Sequence, residues 1–72
     1  MSPLRTGSRG PEVTNLQHFL IGRGYAPGAA DGDFGPKTHA AVAAYQRSEG
    51  LAADGIVGNI TLGRMLAQGM TL

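Results

Sequence analysis

Cysteine and tryptophan are both missing from this 72-residue chain. Without cysteine there is no disulfide to staple a small core and no thiolate to ligate zinc. A chain of this length buries only about 60% of its unfolded surface and often relies on such a staple. Stability must therefore come from helix packing and well-formed turns. Charge is scarce too: six Lys and Arg against five Asp and Glu leave +1, and charged residues make up 15% of the chain. The basic residues Arg5, Arg9, Arg23, Lys37, Arg47 and Arg64 are scattered, so the footprint of a nucleic-acid binder is absent. No apolar run approaches the roughly 20 residues of a membrane helix, and no membrane partner is expected. The opening Met-Ser-Pro-Leu-Arg lacks the apolar core of a secretory signal. A role outside the cytoplasm then implies a chain cut from a longer one or delivered by another route.

What the sequence has in abundance is glycine, twelve in all, placed as punctuation. Gly10-Pro11 opens a first helix, with proline where its missing N–H costs nothing and Glu12 complementing the dipole. Val13, Leu16 and Leu20 recur at helical spacing with Phe19 beside them, and Gly22 and Gly24 mark the end. A second helix opens at Gly35-Pro36, carries Thr38, Ala41, Val42 and Tyr45 on one face, and closes at Gly50. A third begins near Gly58-Asn59, carries Leu62, Met65 and Leu66, and stops by Gly69. Gly24-Tyr25 and Gly50-Leu51 have the form of a left-handed glycine cap with an apolar contact back onto the last turn. No segment alternates long enough to suggest a strand.

An internal repeat carries most information. Asp31-Gly32-Asp33-Phe34-Gly35-Pro36-Lys37-Thr38 recurs as Asp54-Gly55-Ile56-Val57-Gly58-Asn59-Ile60-Thr61, an offset of 23 residues. Each copy directly precedes a helix. The aspartate is placed to accept loop N–H groups, Phe34 or Val57 to plug the core, and the threonine to reach back from the first helical turn. Both glycines of each copy are expected to hold backbone angles closed to other residues, so that alanine at Gly35 or Gly58 should be costly.

Several chemical readings fail on spacing. A calcium loop starting at Asp31 would need a bidentate acid at its twelfth position, which is Val42. Asp33-Phe34-Gly35 spells a kinase magnesium motif, but the chain has no room for the rest of a kinase. His18 and His39 stand on different predicted helices with no acid at metal-ligand spacing, and read as surface or rim residues. Ser2, Ser8 and Ser48 have no base to activate them. Asn59-Ile60-Thr61 matches a glycosylation acceptor, at a helix start. No catalytic residue, metal or cofactor is expected. Tyr45 is divided between core and groove. Gln17 and Gln46, at matching places in two helices, suit structural bridging better than presentation to a ligand.

Taken together, Gly7 to Val13, Leu16-Gln17, the first Asp-Gly-x-Phe-Gly-x-x-Thr, Ala41-Val42, Tyr45-Gln46, Gly50-Leu51 and the second Asp-Gly-x-Val-Gly resemble the peptidoglycan-binding domain 1 family. The likeness runs from about Leu4 to Leu66. It implies an all-α, compact three-helix bundle with two Asp-Gly-x-apolar-Gly loops, forming a single domain over 1–72. It also implies non-catalytic binding of peptidoglycan, through glycan strand or stem peptide, at a cell wall or in a periplasm, beside a partner cell-wall hydrolase domain. The rival reading is a protein–protein interaction module of the same fold, or a pro-domain. Within the repeat, Asp33 gives way to Ile56 and Pro36 to Asn59. The second loop, with Asp54, Ile56, Asn59 and Thr61, is therefore the favoured binding face. The side bearing Gln17, Tyr45 and Gln46 is the next choice.

Overall fold

A computed structural model describes residues 2–71. The chain forms three helices, α1 (Pro11–Gly22), α2 (Pro36–Ser48) and α3 (Asn59–Ala67), close to the spans expected from glycine and proline. Proline stands in the first turn of α1 and of α2. All three helices end alike. The amides of Tyr25, Leu51 and Met70 donate to the carbonyls of Leu20, Gln46 and Met65, at 2.9, 2.8 and 3.0 Å. The preceding Gly24, Gly50 and Gly69 take φ of 88°, 73° and 106°. This is the glycine cap with its six-residue backbone ring; of the residues that follow the glycines, Met70 is buried in the core and Tyr25 packs against it.

The helices enclose one core. Val13, Leu16 and Leu20 of α1 meet Ala41, Val42 and Tyr45 of α2, Met65 of α3, and the loop residues Phe34 and Val57. Leu4 and Met70 complete it, although the helical patterns did not point to either. On α3 the inward residues are Thr61 and Met65, with Leu62 half-buried. Leu66, expected on that side, is 37% exposed, because a nine-residue helix presents only a narrow stripe to the core. Tyr45 is fully buried, its ring edge-on between Phe19 and Tyr25 at centroid distances of 5.7 and 6.0 Å. Its hydroxyl donates to Gln68 Oε1 at 2.6 Å.

The segment before α1 ties the two loops together. Leu4 exchanges both backbone hydrogen bonds with Val57, at 3.1 and 2.8 Å. The Gly7 amide donates to the Phe34 carbonyl, the Phe34 amide to the Ser8 carbonyl, and the Gly10 amide to the Gly32 carbonyl, each at 3.0 Å. Among the described residues these contacts form only isolated bridges, and no strand. Phe34 and Val57 are repeat equivalents, so one extended segment clips the same position of both copies.

The glycine expectation needs correction. The positive angles belong to the first glycine of each loop, Gly32 at φ 81° and Gly55 at φ 73°. Gly35 and Gly58 are extended residues just before α2 and α3, at φ −106° and −88°. A Cβ on either of them meets nothing within 4 Å. A Cβ on Gly32 would lie 3.0 Å from Thr14 Oγ1 and 3.3 Å from the Gly10 carbonyl oxygen. One on Gly55 would run into the His39 ring. Gly32→Ala and Gly55→Ala should each cost about 1–2 kcal/mol or more, for the left-handed backbone alone. Gly35→Ala and Gly58→Ala should be near neutral, since the weaker helix start is offset by a less flexible unfolded chain. Urea unfolding of the four variants checks this ordering, and the reverse ordering would refute it.

Candidate functional site

The two loops are built on matching buried amides. In the first, Gln17 Nε2 donates to the Asp33 carbonyl at 2.9 Å and Thr38 Oγ1 at 3.1 Å, with Asp31 Oδ1 at 3.4 Å. Its Oε1 accepts the Gly32 amide at 3.0 Å. In the second, Gln46 Nε2 donates to the Ile56 carbonyl at 2.9 Å, Asp54 Oδ1 at 3.0 Å and Thr61 Oγ1 at 3.1 Å. Its Oε1 accepts the Gly55 amide at 2.9 Å. The aspartates act as expected: Asp31 Oδ1 accepts the Asp33 amide and Asp54 Oδ1 the Ile56 amide, both at 2.9 Å.

Beside each loop lies an open groove. The first, of about 380 Å³, is lined from Pro27 to Thr38. The second, of about 610 Å³, is lined from Gly50 to Thr61. Each lining residue of the first has its repeat counterpart, 23 positions on, in the second. The chemistry differs sharply. Gly28, Asp33 and Lys37 of the first groove become Leu51, Ile56 and Ile60 of the second. Pro36 becomes Asn59, the one change in the polar direction.

Of the residues singled out from the sequence, Asp54, Ile56, Asn59 and Thr61 all border this second groove. Asp54 and Asn59 are exposed, Ile56 is half-buried, and Thr61 lies at the base, bonded to Gln46. Gln17, Tyr45 and Gln46 are displaced from the candidate contact set. They are 1%, 0% and 1% exposed, and their polar atoms are committed to the loops or to Gln68. A ligand would find no surface on them. The groove also contains two residues that the sequence reading missed. Ile60 is 77% exposed, an unusual setting for a branched apolar side chain. Leu51, whose amide closes the cap of α2, also lines the groove with its side chain. Comparing the repeat at Lys37/Ile60 and Gly28/Leu51 would have exposed both.

The loop carboxylates are held below their ordinary range. For Asp54 the Ile56 amide is the main cause, with the Gln46 side chain adding to it. For Asp31 it is the Asp33 amide. Glu49 is lowered by the Gln68 amide and then by Arg64, which pairs with it at 3.0 Å. Burial raises Tyr45. Among the described residues no three His, Cys, Asp or Glu side chains converge on a point that would hold a metal. His18 and His39 are both exposed, the latter covering Gly55.

A carboxylate lowered by folding stabilises the native state above its unfolded pKa and loses that contribution as pH falls through the folded value. Stability from Asp31, Asp54 and Glu49 should therefore be complete above about pH 5 and decline below about pH 4. Asp31→Asn with Asp54→Asn, which keeps both Oδ1 acceptors, should flatten that decline in melts run across pH. An unchanged acid limb would contradict the carboxylate role.

The sequence matches the family described as "Putative peptidoglycan binding domain" over residues 9–65. It is 51% identical over 53 residues to the N-acetylmuramoyl-L-alanine amidase CwlM of Mycobacterium tuberculosis, covering 74% of this chain and 13% of that protein. It is 45% identical over 67 residues to the zinc D-Ala-D-Ala carboxypeptidase of Streptomyces albus G, covering 86% and 25%. The chain thus spans a quarter or less of these relatives. Among solved structures, the SleB N-terminal domain superposes with a TM-score of 0.88 at 31% identity, covering 93% of this chain and 92% of that one. With its three helices and a match across most of its length, the chain belongs to the peptidoglycan-binding domain family.

Proposed function

We propose that this chain binds bacterial peptidoglycan without catalysing its cleavage, and so holds an attached or associated protein against the cell wall. The family match over residues 9–65 carries this reading. The two named relatives, an N-acetylmuramoyl-L-alanine amidase and a zinc D-Ala-D-Ala carboxypeptidase, are several times longer than this chain, which suits a module borne beside a catalytic domain. Its contribution is effective concentration: a weak module keeps an enzyme near an insoluble substrate without entering the chemistry. The second groove is the proposed contact surface, with Leu51, Ile56 and Ile60 as apolar lining and Asp54 and Asn59 at the rim.

Co-sedimentation with purified sacculi tests the proposal. The chain should pellet with sacculi, be released by soluble muropeptide, and liberate no amino groups or reducing ends. Ile60→Ser combined with Asn59→Ala should weaken retention about tenfold or more, the loss expected from roughly 1.4 kcal/mol of contact energy. Its melting temperature should stay close to the parent's, because both side chains are exposed. Parent protein remaining in the supernatant would refute the wall-binding role. Full retention of the double variant would move the contact surface elsewhere.

A further inference from the structure

The repeat supplies an internal control for what the second groove is adapted to hold. Both loops keep the same glutamine bonds to aspartate, glycine, threonine and a loop carbonyl. The change from Gly28, Asp33 and Lys37 to Leu51, Ile56 and Ile60 is therefore not required by the turn. It removes an acid and a base and adds three branched aliphatic side chains, in a groove of a size typical for small-ligand sites.

Two further features narrow the ligand. No aromatic ring lines this groove. Phe19, Tyr25 and Tyr45 cluster with one another, and Phe34 is buried in the core. A sugar ring would therefore lack the flat π-face whose negative potential attracts its C–H edges. Asp54, by contrast, is an exposed carboxylate at the groove edge, and both hydrogen bonds it accepts fall on Oδ1. Among the described residues it forms no ion pair, as is true of its repeat counterpart Asp31, and it is the one charged side chain lining this groove. The Lys37 position, which would have brought a cation into the second groove, is Ile60.

Resting on the wall-binding reading, we propose that the second groove recognises the peptide stem of peptidoglycan rather than its glycan strand. The aliphatic lining takes alanine methyl groups, and the Asp54 carboxylate takes the free side-chain amine of the stem's diamino acid. Burying methyls against Leu51, Ile56 and Ile60 supplies non-directional affinity. The charge-assisted bond to Asp54 supplies selectivity for a free amine over a blocked one.

The test is a titration of ¹⁵N-labelled protein followed by amide chemical shifts, with three probes. These are a soluble stem tetrapeptide with a free diamino-acid amine, the same peptide N-acetylated at that amine, and glycan chains stripped of peptide. The free-amine peptide should shift the amides of Gly55, Ile56, Asn59 and Ile60. The acetylated peptide should bind about tenfold more weakly, as expected for loss of one charged hydrogen bond. The bare glycan should leave those amides unmoved. Asp54→Asn keeps the Oδ1 acceptor and should erase the difference between the two peptides. Shifts from the glycan but not the peptide, or equal affinity for both peptides, would overturn the assignment. Sacculus binding measured alongside separates the two levels. Retention on sacculi with no response to the peptide overturns the stem assignment alone, and no retention overturns the wall-binding reading with it.

Discussion

Two buried primary amides organise this molecule. Gln17 and Gln46 project from α1 and α2 into the turns ahead of the next helix, each accepting one loop amide and donating to a loop carbonyl, an aspartate and a threonine. An uncharged side chain with two donors and one strong acceptor suits this position, because it can be satisfied in the interior without desolvating a charge. Among the described residues no buried side-chain polar atom lacks a partner. In a chain without cysteine, these amides take the place of a covalent staple. Each fixes loop to helix through several bonds, and a half-satisfied set would cost more than an apolar substitute.

With the loop backbone held from behind, the outward-facing residues are free to diverge. The first groove carries Asp33, Pro36 and Lys37, and Asp33 is engaged by Arg9 of the N-terminal segment. The second carries Ile56, Asn59 and Ile60. The same framework therefore yields a polar, partly occupied copy and an apolar, open one. The N-terminal segment contributes by clipping Phe34 and Val57, so that the two plugs enter one core rather than two. Recognition is thereby separated from folding, and surface variants at the groove can alter binding while the bundle persists.

The helices were legible because glycine and apolar spacing agree at their boundaries, with proline opening the first two. The loop roles of Asp31, Asp54, Thr38 and Thr61 were also legible, since each residue type has few other uses at that position. What the sequence could not resolve was which glycine carries the positive angle. Both are compatible with a turn, and only the hydrogen bonds of Gly32 and Gly55 to the glutamines select the first. Tyr45, Gln17 and Gln46 stayed ambiguous for a related reason. A large amphipathic residue on a helix face can point to core or groove, and the choice depends on partners distant in sequence, such as Gln68 for Tyr45. Leu4 and Met70 escaped notice because neither lies in a periodic segment.

Each glutamine holds its own loop. Native-state hydrogen exchange of the Gly32 and Gly55 amides in Gln46→Leu measures this dependence. That change removes the acceptor for Gly55 and both amide donors from the second loop, leaving the Gln17 set untouched. Protection at Gly55 should collapse well beyond the loss at Gly32, on top of a global destabilisation of about 2–4 kcal/mol from unsatisfied buried groups. Equal protection of the two amides in the variant, or Gly55 as slow as in the parent, would contradict it.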